Sequence, residues 1–78
     1  MEKNQMICFQ VVAKTQNISE ASRQLFISQP AVSQTILRME EELGYTLFDR
    51  VGKRIILNEN GKIMQKAITQ MSNIFDDA

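Results

Sequence analysis

Four apolar residues, Val32, Ile36, Met39 and Leu43, recur at spacings of four, three and four. At about 100° per residue they line one face of a helix, and that face demands a partner to cover it. Both ends of the helix are legible as well. Ser28 can cap the first turn, and Pro30 is tolerated there because the first N–H groups have no intrahelical partner. Gly44 stands where a left-handed residue ends a helix. A helix of this length is marginal alone in water, so the remaining residues must supply the surface that holds it.

They supply it in short pieces. Residues 3–14 read as a helix with Met6, Phe9, Val12 and Ala13 on a buried stripe and Cys8 as a small hydrophobe beside them. Asn17 breaks that helix, and Ser19 is expected to cap the next, Ser19 to Leu25, with Glu20 favoured in its first turn. Ala21 and Ser22 are small enough to let another helix approach, and Phe26 and Ile27 form an apolar connector. After Gly44, two short β-prone stretches flank Gly52 and read as a hairpin. Asn58 looks like the cap of a last helix whose apolar face includes Ile63. On it, Met64, Ala67, Ile68, Met71, Ile74 and Phe75 fall close to a heptad seam and are expected to form a dimerisation surface. The reading is mainly α: three helices, a β-hairpin wing and a C-terminal linker helix, the layout of a winged helix-turn-helix.

Composition removes several classes of chemistry. The 78 residues hold no histidine, which excludes histidine metal sites and His-based triads, and Cys8 is the single cysteine, so no internal disulfide can form. The three glycines match neither a dinucleotide fingerprint nor a phosphate-binding loop, and no nucleophile has a plausible base beside it. An enzyme has no support, and no cofactor or metal is expected. No apolar run approaches a membrane span and no signal-peptide pattern opens the chain, so a cytoplasmic, membrane-free protein is expected.

Net charge is zero, yet the charges are segregated. Residues 23–39 carry +2 from Arg23 and Arg38, residues 40–49 carry −4, and residues 50–58 carry +3 from Arg50, Lys53 and Arg54. A duplex would meet the acid-free N-terminal half of the third helix and avoid its acidic end. The Glu40–Glu42 run reads as a solvated face, with Glu40 able instead to hold Arg50. The face opposite the apolar stripe carries Pro30, Ser33, Gln34, Leu37 and Arg38, with Gln29 at the helix start. Glutamine can hydrogen-bond adenine on two atoms, serine bonds either partner, and Pro30 could touch a thymine methyl. Taken alone, Ser28-Gln29-Pro30 reads equally as a mere helix start, and Lys53 and Arg54 as solvated charges at a hairpin tip. A winged helix used for protein–protein association is the rival reading; zero net charge and exposed Leu37 favour it.

The run Ser28-Gln29-Pro30-Ala31-Val32-Ser33, followed by Ile36, Met39, Glu40, Leu43, Gly44, Leu47, Phe48 and Arg50, resembles the N-terminal domain of LysR-type transcriptional regulators. Phe9, Ala13, Ala21 and Leu25 upstream and Arg54, Leu57 and Gly61 downstream keep the same spacing, so the resemblance covers essentially the whole chain. It implies a bacterial regulator that binds double-stranded promoter DNA as a homodimer, or as a tetramer at full length. It implies base contacts from Gln29, Pro30, Ser33 and Gln34, backbone contacts near Ser19, Ser28 and Arg38, and a wing bearing Lys53 and Arg54. Residues 1–58 would be the DNA-binding domain and residues 59–78 a truncated linker and dimerisation helix. A small-molecule effector would act only through a larger C-terminal domain absent from this chain. Gln34 stands where such regulators commonly carry arginine, and Leu37 where a basic or polar residue is frequent, so a distinct site preference is expected. Ser22 and Asn58, in place of the usual alanine and threonine, are milder departures.

Overall fold

The computed structural model describes residues 2–52 and 54–76, with side chains described as far as Met71. The order is α1 (Lys3–Thr15), α2 (Ile18–Leu25), α3 (Gln29–Leu43), β1 (Phe48–Val51), β2 (Arg54–Leu57) and α4 (Glu59–Asp76). The strands pair antiparallel in the register Phe48 to Leu57 and Val51 to Arg54, with Gly52 at φ +61° in the turn. This is the winged arrangement expected.

Local chemistry sets the boundaries. The Gln5 Oε1 accepts the Glu2 N–H at 3.1 Å and closes the start of α1. Helix α2 runs from Ile18, and its cap lies two residues earlier than expected, at Asn17. Its extended backbone lets Oδ1 accept the Glu20 N–H at 2.9 Å. Ser19 therefore lies inside the first turn, exposed, and its carbonyl accepts the Ser22 hydroxyl at 2.8 Å. Ser28 caps α3 through the Ala31 N–H at 3.2 Å, and Gly44 ends it in the left-handed region at φ +82°. Asn58 Oδ1 accepts the Gly61 N–H at 2.8 Å and caps α4.

The core draws on every element: Cys8, Phe9, Val12 and Ala13 from α1, Ala21 from α2, Val32, Ile36 and Met39 from α3, Leu47 from the loop, Phe48 and Ile55 from the hairpin, and Ile68 from α4. The Phe9 and Phe48 rings meet at 5.5 Å in a tilted pair, joining α1 to the wing. Burial pushes the Cys8 thiol above its ordinary range, as suits a hydrophobe rather than a nucleophile.

Glu40 corrects an expectation. It neither pairs with Arg50 nor lies idle in solvent. Its Oε2 accepts the backbone N–H groups of Leu47 at 2.7 Å and Phe48 at 3.3 Å, because the turn after Gly44 folds the chain back over that side of α3. Glu42 is also engaged: its Oε1 accepts from Gln5 Nε2 at 3.4 Å.

Phe26 ends α2 in the left-handed region at φ +58° with its side chain 93% exposed. A side chain there costs about 1–2 kcal/mol against glycine, and this one recovers little by burial. Phe26→Gly should therefore stabilise the fold by about 0.5–1 kcal/mol, net of glycine's entropy. That is a rise of several degrees in thermal unfolding followed by circular dichroism. A fall in the midpoint would show that the ring makes contacts worth more than the strain.

Candidate nucleic-acid interface

Burial of Val32, Ile36 and Met39 points the opposite side of α3 outward. Gln29, Pro30, Gln34, Leu37 and Arg38 are exposed along it, and Ser33 is half-buried on its flank. At about 100° per residue, Pro30, Gln34 and Leu37 fall near the centre of this outer face. Gln29 and Ser33 lie to the side of Glu40, and Arg38 lies on the other side. Leu37, 49% exposed, is the apolar residue in the middle. Thr35 is turned away, its hydroxyl donating to the Ala31 carbonyl at 2.8 Å.

The first turn of α3 projects a polar edge. The Ser28 oxygen accepts the Ala31 N–H, which leaves the hydroxyl proton to be donated outward. The helix dipole places partial positive charge at this end. At the other end stand Glu40, Glu41 and Glu42 with no basic residue in the last turn. The outer face is thus graded from anion-attracting to anion-repelling within one helix.

The hairpin adds cations. Arg50 and Arg54 are exposed, as is Val51 beside them; Lys53 lies outside the described residues. Arg50 was missed as a candidate because sequence reasoning paired it with Glu40; its place in the +3 segment was the signal that could have found it. Arg23 is committed to Glu20, whose carboxyl its guanidinium, with help from Gln24, holds below the usual range. Arg38 sits at the rim of a groove of about 500 Å³ lined also by Gln5, Ile7, Leu25 and Ile27.

The expected dimerisation seam is divided by the fold. Ile68 is 2% exposed and Met64 is half-buried against the same core, so α4 spends these two on its own chain. Ile63 at 68% exposure, Met71 at 47% and exposed Ala67 face outward at spacings of four. The side chains of Ile74 and Phe75 lie outside the described residues. No cluster of three His, Cys, Asp or Glu residues suited to a metal occurs among the described residues. No helix among them is long and apolar enough to cross a membrane.

Residues 4–62 match the family model for bacterial regulatory helix-turn-helix proteins of the lysR family. The chain belongs to the LysR family. Among LysR-type relatives, the uncharacterized HTH-type transcriptional regulator YybE of Bacillus subtilis is 42% identical over 71 residues, which is 91% of this chain and 24% of that protein. The RuBisCO operon transcriptional regulator of Allochromatium vinosum is 40% identical over 58 residues, 74% of this chain and 19% of that protein. The chain thus spans a quarter or less of the length of these curated relatives. Solved LysR-type domains superpose closely. The CbnR DNA-binding domain in its DNA complex gives a TM-score of 0.89 at 26% identity, covering 99% of this chain and 88% of that one. The BenM DNA-binding domain on benA site 1 DNA gives 0.89 at 27% identity, covering 99% and 90%. The fold is therefore the winged helix-turn-helix of LysR-type regulators, and the chain is a DNA-binding domain of that type.

Proposed function

We propose that this chain binds double-stranded promoter DNA as a homodimer, with α3 in the major groove and the wing against the minor groove or backbone. The observation that carries it is the outer face of α3: Gln29, Pro30 and Gln34 exposed beside a positive helix end, with carboxylates confined to the far turns. Gln29, Pro30, Ser33 and Gln34 read base edges; Ser19, Ser28, Arg38, Lys53 and Arg54 set position on phosphates. The DNA complexes of the CbnR and BenM domains support this docking over the protein-association reading. Gln34 and Leu37 bring no positive charge to the face, so readout rests on hydrogen bonds and apolar contact.

Residues 1–58 act as the DNA-binding unit and α4 as a linker. A second copy covers Ile63, Ala67 and Met71, which places two recognition helices on one side of the duplex, about one helical turn or a multiple apart. In a protein as long as the relatives, tetramer assembly and response to a small-molecule effector belong to residues outside these 78.

Selection of bound duplexes from a random pool tests the readout. The chain should enrich a two-fold symmetric sequence, and Gln29→Ala should relax one position per half-site at a cost of about 1–3 kcal/mol. An unchanged preference and affinity would take base readout away from Gln29.

Sedimentation tests the second copy. The wild-type chain should be dimeric at micromolar concentration, and Met71→Glu, placing a charge in an apolar contact, should leave it monomeric. A Met71→Glu chain that still dimerises would put the interface elsewhere.

A further inference from the structure

We propose that Glu40 is a positioning residue for DNA binding: its grip on Leu47 and Phe48 fixes how far the hairpin's cations lie from the outer face of α3. The proposal rests on the DNA-binding reading above. Glu40 stands in the last turn of α3, where the helix dipole disfavours an anion. What offsets that placement is a pair of charge-assisted hydrogen bonds to consecutive backbone N–H groups at 2.7 and 3.3 Å. Those groups belong to the residue before β1 and to its first residue. The carboxylate therefore ties the recognition helix directly to the wing.

The same segment is held from its other side. The Leu47 carbonyl accepts the Asn58 N–H at 3.0 Å, and Asn58 Nδ2 donates to the Thr46 carbonyl at 3.0 Å and hydroxyl at 3.1 Å. Gly61 lies so close that a Cβ there would meet the Leu47 carbonyl oxygen at 2.1 Å. The Leu47 side chain is wholly buried. Residues 46–48 are thus clamped between α4 and the core, and Glu40 adds the polar contact that ties the clamp to the last turn of α3. Without that contact the hairpin would keep its pairing and its core anchors, but its distance from Gln29 and Gln34 would be held less tightly.

Two substitutions separate grip from charge. Glu40→Asp keeps the negative charge and shortens the reach; Glu40→Gln removes the charge and keeps an oxygen that accepts. Binding of each to the duplex enriched by the wild-type chain is followed as a function of salt, with Arg54→Ala marking the loss of one wing cation. Glu40→Asp is expected to bind about tenfold more weakly, with a salt slope smaller by about 0.9 or more, matching or exceeding Arg54→Ala, while the base preference of α3 is kept. Glu40→Gln is expected to stay within about threefold of wild type with its slope unchanged. Amide exchange in the free proteins should quicken at Leu47 and Phe48 in Glu40→Asp alone, which reads the grip without DNA. The opposite pattern, Asp like wild type and Gln tighter, would show that Glu40 acts only as a repelling charge and would overturn the proposal. A wild-type chain that binds no duplex would overturn the DNA reading itself, and this proposal with it.

Discussion

Everything the chain presents to a partner depends on one shared core, because its helices draw their stability from packing an apolar face and every element gives residues to the same cluster. Phe9 lies at the centre of that dependence: it is fully buried in α1, with its ring against Phe48 of the hairpin, in one cluster with Val32, Ile36 and Met39 of α3. The inner stripe of α3 is consumed in that contact, so the outer face is defined by exclusion. A small domain has no second core to compensate for a loss there. The candidate base-reading face and α3's share of the core are therefore two sides of the same fifteen-residue helix.

Electrostatic organisation follows from the same helix. With zero net charge the molecule has no general attraction for a polyanion, and selectivity of docking must come from placement. The free N–H groups and serine cap of α3 lie at one end, and three glutamates lie at the other. The exposed arginines of the hairpin extend the attractive region beyond the helix. Glu40 links the two regions, because its carboxylate is turned onto the backbone N–H groups of Leu47 and Phe48.

Most element boundaries were legible in the sequence because caps are local chemistry. Ser28 and Gly44 bound α3 as read, and Asn58 caps α4. Ser19 was misplaced as a cap because Asn17 competes for the same role two residues earlier, and only the folded backbone decides between them. The outer face of α3 was readable from the four-three-four stripe, and the wing from the two β-prone stretches around Gly52. What could not be read is what depends on a long-range approach. The grip of Glu40 on Leu47 exists only once the chain has turned at Gly44 and come back over α3. Periodicity marked a wide apolar face on α4 without saying that the core takes Met64 and Ile68 while Ile63, Ala67 and Met71 stay outside.

The N-terminal half of α3, together with the hairpin, is the surface proposed to meet DNA. The most direct measurement is amide chemical-shift mapping of the isotopically labelled chain as a duplex selected by it is added. Perturbations are expected to concentrate at residues 28–38 and at Asp49 to Ile56, with the acidic turn at 40–45 nearly silent. Perturbations centred instead on Ile7, Leu25 and Ile27, with the first turn of α3 unmoved, would contradict this assignment.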